Sequence, residues 1–179
     1  MAGELELEKH FEPFMQIAAS TSAADALAQL RNAPEDFAVV EDAEGPRALI
    51  QADHLANLAG VGDHSLSDLL DQLPSPVVVD ATMAAFDSDD LKQVALLLEQ
   101  TTAPGLIIYQ GKDMRGVISL ESIVEALPLD AIPPNRLKGD PLTPARVYIC
   151  STCGTSRYLR EGGPPDCPTG HGLMKRMGS

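Results

Sequence analysis

The sequence predicts a mixed α/β (α+β) fold: two helix-strand-strand-helix repeats packed as a pair, then a small metal-organised β domain. Three observations predict it. An apolar pattern recurs at a fixed offset of 68 residues, so that Phe37-Ala-Val-Val-Glu-Asp falls on Gly105-Leu-Ile-Ile-Tyr-Gln and Arg47-Ala-Leu-Ile falls on Arg115-Gly-Val-Ile. A stretch with five prolines in seventeen residues, 128–144, then interrupts any regular element. All three cysteines of the chain follow it, spaced Cys150-x2-Cys153, thirteen residues, Cys167-x3-His171.

Each repeat unit opens on a polar cap, Ser20-Thr-Ser22 in the first and Asp87-Ser-Asp-Asp90 in the second, whose oxygens can accept from free helix N–H groups. Apolar residues follow at helical spacing: Ala23, Ala26, Leu27 and Leu30, matched 68 residues later by Leu91, Val94, Ala95 and Leu98. Breakers at Asn32-Ala-Pro34 and Thr101–Gly105 end these helices. Short apolar strands at 38–40 and 106–108 lead through the polar turns Asp42–Gly45 and Gln110–Asp113 into strands at 48–50 and 116–118. Helices at 52–59 and 120–127 close the units, with Leu55 and Leu58 matching Ile123 and Ala126. A helical segment, Ser65–Asp71, and a Val77-Val-Val79 strand join them. One unit has too little apolar surface to stand alone; two packed sheet on sheet share a core of roughly 120 residues, a size that folds independently.

These two units resemble a tandem cystathionine-β-synthase (CBS) domain pair, or Bateman module, with repeat one over 12–72 and repeat two over 73–128. The resemblance rests on the element order, the strand-turn-strand spacing, and Gly116-Val-Ile-Ser119-Leu-Glu-Ser122, which is similar to the family's Gly-apolar-apolar-Thr/Ser-x-x-Asp motif. It implies a cleft for adenosyl ligands such as AMP, ATP or S-adenosylmethionine, in which the hydroxyl holds phosphate and the Asp grips the ribose, and it implies homodimers through the pair. Carried onto this chain, repeat two offers Ser119 for the hydroxyl but Ser122 where Asp is expected; repeat one offers Gln51 and His54, with Ala48 for the glycine. Asp53 lies one residue early, which turns a helical side chain by about 100°. Losing a hydrogen bond to a charged acceptor costs roughly 1.5–3 kcal/mol, hence about one to two orders of magnitude in affinity. Arg47 and Arg115, at equivalent turns, are candidate phosphate partners or solvated turn residues.

After a semi-rigid connector at 129–144, residues 145–177 read as a zinc ribbon, a rubredoxin-like knuckle fold. Val147-Tyr-Ile runs into the first knuckle, 157–160 is the return strand, and 173–177 a last strand. Gly154 lets the backbone curl so that N–H groups face the thiolates. Cys150, Cys153, Cys167 and His171 form a closed structural Zn²⁺ set; iron in a rubredoxin-type electron carrier is the alternative, although that chemistry favours four thiolates. About thirty residues cannot bury enough surface to fold unaided, so the metal replaces a core.

The net charge of −13 is uneven. Residues 138–179 hold six of the thirteen basic side chains and three of the 26 acidic ones, leaving the tail at +3 and the rest at −16. Such a body repels nucleic acid; the tail either meets an acidic partner or docks on its own body. The acidic N-terminus lacks a signal-peptide pattern, and no apolar run nears the roughly 18 residues of a membrane span. The expectation is a cytoplasmic, non-enzymatic chain with no membrane partner. Its leading function is a regulatory or protein-interaction module with an unknown protein partner. The alternatives are an adenosyl-ligand sensor and, disfavoured by charge, nucleic-acid binding through Arg157, Arg160, Lys175 and Arg176.

Overall fold

Alternation along the central strands decides the architecture of this computed structural model, which describes residues 5–58, 63–80, 85–111, 113–127, 147–159 and 163–177. The first strands and helices are β1 (Leu5–Glu6), β2 (Phe14–Ala18), α1 (Ala23–Asn32), β3 (Phe37–Asp42), β4 (Gly45–Ile50) and α2 (Ala52–Ala56). Then come β5 (Val77–Asp80), β6 (Ala85–Phe86), α3 (Ser88–Thr101), β7 (Gly105–Gln110), β8 (Asp113–Ser119) and α4 (Leu120–Ala126). The tail adds β9 (Val147–Ile149), β10 (Ser156–Tyr158) and β11 (Lys175–Arg176). Short 3-10 segments occupy 7–10 and 66–72.

Repeat one is a three-stranded sheet ordered β2-β3-β4, and repeat two contributes β5-β7-β8 to a six-stranded sheet. In each, the outer-to-central pair (β2 with β3, β5 with β7) is parallel and the hairpin (β3 with β4, β7 with β8) is antiparallel. Ala38, Val40, Ala48 and Ile50 face α1 and α2, whereas Phe37, Val39 and Leu49 face the other sheet. In repeat two, Leu106, Ile108 and Ile118 face α3 and α4, while Val78, Ile107 and Val117 meet Val39 and Leu49 between the sheets. Both faces of both sheets are therefore covered, which is why these strands read as unbroken apolar runs. The predicted strand cores and the sheet-on-sheet packing agree with this arrangement.

The internal repeat extends to irregularities. The β3–β4 ladder slips between Val40 and Glu41 and the β7–β8 ladder between Ile108 and Tyr109, the same position 68 residues on. The helix-leading strands break that spacing: Met15 is to Ala38 as Val77 is to Leu106, an offset of 62, so repeat two inserts six extra residues before its helix. The caps act as their residue types suggest. Ser22 accepts from the Asp25 N–H, and Asp87 from the N–H groups of Asp89 and Asp90.

Several elements differ from the sequence reading. Strand β2 and the two-stranded β1–β6 ribbon were not expected; Phe14-Met-Gln-Ile-Ala has no counterpart at the 68-residue offset and lacks a regular apolar alternation. Helix α2 ends at Ala56 rather than 59, with a turn at Asn57 and Leu58. The return strand is 156–158 rather than 157–160, and the last strand is reduced to Lys175–Arg176 plus a bridge at Leu173. The connector 129–144, Arg160 and residues 161–162 lie outside the described residues.

The tail docks on its own body. Strand β10 pairs parallel with β5, register Tyr158↔Val79, so the tail strands extend the repeat-two sheet in the order β11-β9-β10-β5. Val147 and Tyr158 belong to the repeat-two core. Arg157 is held by Asp80 at 3.0 Å and by the Asp166 carbonyl at 3.1 Å.

Candidate metal centre and repeat clefts

Two knuckles bring the four donors together. Cys150 follows β9, and the chain turns so that the Gly154 N–H reaches the Cys150 carbonyl at 3.0 Å and the Thr152 N–H reaches the Cys150 sulfur at 3.4 Å. Gly154 takes φ 73, a left-handed value that costs a side chain strain, as the sequence reading required; the N–H groups aimed at sulfur include those of Thr152, Cys153 and Thr155. The second knuckle closes with the Gly170 N–H on the Cys167 carbonyl and the Cys167 N–H on the Gly172 carbonyl, both glycines again at positive φ.

The donor atoms of Cys150, Cys153, Cys167 and His171 all lie within 4.8 Å of one another. The Cys153 and Cys167 sulfurs are 3.6 Å apart, and His171 Nδ1 is 3.7 Å from Cys150 Sγ and 3.8 Å from Cys167 Sγ. Tetrahedral zinc with ordinary bond lengths sets S···S near ~3.8 Å and S···N near ~3.6 Å. The residues therefore fit a four-coordinate ion, and 3.6 Å between sulfurs is far from a disulfide, consistent with three free thiols.

Electrostatics at the centre favour charged ligands at two of the three sulfurs. Burial alone raises the Cys153 thiol, but the Thr155 and Thr169 hydroxyls, the Thr155 N–H and His171 outweigh it and bring it down to about 6. Cys150 is likewise raised by burial but lowered overall by the N–H groups of Cys153 and Thr152. Cys167 goes up, with burial the largest cause. His171 is raised to about 8 by hydrogen bonds to the Cys153 and Cys150 sulfurs. Thr155 and Thr169 are both buried; the Thr169 hydroxyl lies 2.8 Å from Cys167 Sγ and 2.9 Å from His171 Nδ1. These hydroxyls were not anticipated, although Thr155 and Thr169 each lie two residues after a cysteine.

The repeat clefts are engaged by the chain itself. Ser119 Oγ accepts from the Ser122 N–H at 3.1 Å, capping α4. The Glu12 carboxylate accepts from the Ser119 N–H at 3.1 Å and from the Ser122 hydroxyl at 3.2 Å. Glu12 is carried there by a backbone bridge to Val117, and Phe11 covers Gly116 so closely that a Cβ on that glycine would lie 2.6 Å from the ring. Sequence reading missed this plug because Glu12 is 107 residues from Ser119 and shares no motif with it. Arg115 is exposed beside Phe11, and Arg47 turns back onto Asp42 and Glu44.

In repeat one, His54 is partly buried rather than a surface residue, and its Nδ1 accepts from the Gln51 N–H at 3.0 Å. Burial lowers its pKa below the ordinary 6.5, outweighing the Gln51 hydrogen bond and nearby Asp53. The unfolded chain therefore takes up a proton first as pH falls. The stabilising effect of neutral His54 is complete above pH 6.5 and is lost as pH falls below it. Urea melts across pH 5–7.5 are expected to show this step, and His54→Asn, which keeps an acceptor but cannot titrate, is expected to remove it.

An acidic hollow of about 1010 Å³ is lined by both hairpins and the second knuckle, with Glu41, Asp42, Glu44, Asp113 and Asp166 on its walls. No described helix is long and apolar enough to cross a membrane.

No protein-family model matches the sequence, and no curated protein matches it. Solved structures share the fold. A CBS-domain-containing protein from Agrobacterium tumefaciens superposes with a TM-score of 0.51 at 18% identity, covering 70% of this chain and 94% of its own. The CBS domain of a bacterial CNNM/CorC family Mg²⁺ transporter gives a TM-score of 0.51 at 16% identity, covering 69% of this chain and 74% of its own. The same domain solved in complex with ATP gives 0.50 at 15% identity, covering 69% and 87%. The chain thus has the fold of a CBS-domain pair.

Proposed function

We propose that this chain is a non-catalytic regulatory or protein-interaction module of the cytoplasm, with a structural zinc ion on Cys150, Cys153, Cys167 and His171. One observation carries the reading: among the described residues, the candidate ligand-holding side chains Ser119, Ser122 and His54 are already engaged within the chain. Ser119 and Ser122 serve Glu12, and His54 serves Gln51. The four metal donors face one another, whereas a catalytic zinc keeps an open position. Three thiolates and an imidazole favour zinc over iron, whose comparable centres use four thiolates. A protein partner and self-association through the repeat pair belong to this reading.

The ATP complex of a similarly folded domain motivates a second reading, an adenosyl-ligand sensor. Glu12 stands against it: a carboxylate already takes the Ser119 N–H and Ser122 hydroxyl, and its charge repels a phosphate there. Nucleic-acid binding loses one of its four candidate residues, since Arg157 is committed to Asp80 and the Asp166 carbonyl.

Calorimetry on the full chain with AMP, ATP and S-adenosylmethionine is the test. No heat is expected at millimolar ligand, and Glu12→Ala is expected to admit at most weak binding. Micromolar affinity in the unaltered protein would replace the scaffold reading by the sensor.

A further inference from the structure

The second knuckle touches repeat one as well as repeat two. His171 Nε2 lies 3.0 Å from Glu44 Oε2, across 127 residues of sequence. A carboxylate only accepts, so Nε2 carries the proton and donates, which leaves Nδ1 as the nitrogen on the side of the sulfurs. Glu44 is not free to wander. Its N–H is tied to Asp42 Oδ1 at 2.8 Å, and Arg47 Nη1 reaches the same Glu44 oxygen at 3.2 Å. Next to it, Gly45 at φ 125 lies against the knuckle: a Cβ there would be 3.4 Å from Thr169 Cγ2 and 3.5 Å from the Pro168 carbonyl. The turn of the β3–β4 hairpin is thus seated on the ligand loop by packing and by one charge-assisted hydrogen bond.

We propose that Glu44 is the outer partner of the metal-ligating His171, and that through it the metal centre clamps the repeat-one hairpin onto a tail whose strands belong to the repeat-two sheet. This rests on the zinc reading above. A carboxylate on the distal imidazole nitrogen fixes the ring and strengthens the ligand. Because one contact serves both events, metal binding and hairpin docking must favour each other equally. The acidic turn Asp42-Ala-Glu-Gly has a role that its composition does not announce.

The test uses the full chain and zinc alone, titrated against a chromophoric chelator. Glu44→Ala is expected to bind one zinc with affinity about 10–100-fold weaker, and Glu44→Gln, a neutral acceptor, to fall between it and the parent. Arg47→Ala, which disturbs the same turn but not the imidazole, is expected to leave affinity within about threefold, well short of that loss. Amide exchange in the 42–45 turn is expected to quicken when the parent is stripped of zinc, and to be fast and indifferent to chelator in Glu44→Ala. Parent-like affinity in Glu44→Ala, or equal losses in Arg47→Ala and Glu44→Ala, overturns the proposal while leaving the zinc site intact. A parent chain that takes up no zinc overturns both.

Discussion

Cys150→Ser is expected to abolish the proposed zinc site: bound zinc falls from about one ion per chain to a small fraction, with affinity down by more than the ~100-fold that bounds an outer-partner loss. The tail core explains the size of the effect. Its own apolar cluster is Tyr148, Cys150, Cys167 and Met174, with Cys153 and Leu159 beside it, so half of what is buried there is ligand. Structural zinc in small peptides supplies roughly 10–16 kcal/mol, and nothing in this cluster replaces it. Unfolding is nonetheless expected to stop short of the sheet. Val147 and Tyr158 are packed in the repeat-two core, and β10 is paired along β5. Hydrogen exchange on the chelated protein should therefore show the knuckles, 150–155 and 166–174, losing protection while 77–80 and 105–110 keep theirs. Elemental analysis and exchange together check the claim; a Cys150→Ser chain with undiminished zinc would remove the site.

Local order was readable where it is decided locally. The fixed offset of 68 located both hairpins, because a strand buried on both faces leaves a run such as Phe37–Val40 or Leu106–Ile108 that no solvent-facing segment shows. Ser22 and Asp87 announced helix starts by residue type, since a hydroxyl or carboxylate within reach of free N–H groups needs no distant partner. The clustering of Cys150, Cys153, Cys167 and His171 is legible for the same reason: each knuckle is one short turn.

What escaped was contact between distant segments. Glu12 on Ser119, Glu44 on His171 and Arg157 on Asp80 join residues 77 to 127 apart. Each of these charged residues is ordinary in its own neighbourhood. Periodicity also cannot say that a tail strand extends an existing sheet, because a strand buried by docking has the same pattern as one buried in a free-standing ribbon. The composition offered only the choice between docking and an acidic partner, and pairing of β10 with β5 decides it for docking.

Tyr158→Ala is expected to destabilise the fold by about 3–5 kcal/mol, the range for emptying a buried aromatic site. In a chain of this size that lowers Tm by on the order of 10 °C. Tyr158 is fully buried, meets Phe86 edge-on at 6.0 Å between centroids, and donates its hydroxyl to Asp90, itself fully buried. Asp90 in turn accepts from the Asp87 N–H at the start of α3, so one side chain ties the tail strand to the cap of the repeat-two helix. Tyr158→Phe keeps the ring and removes the donor, with an expected loss of about 1–3 kcal/mol because the carboxylate stays buried. A double-mutant cycle with Asp90→Ala is expected to return a coupling of about 0.5–3 kcal/mol, and additive losses would refute the link. The knuckle ligands do not include Tyr158, so Tyr158→Ala should keep close to one zinc per chain while exchange in β10 and β5 accelerates. Cys150→Ser should do the reverse. Opposite responses of metal content and sheet protection in the two variants require that the tail be fastened twice, by an ion within itself and by an aromatic anchor in its neighbour; parallel responses would mean one cooperative unit.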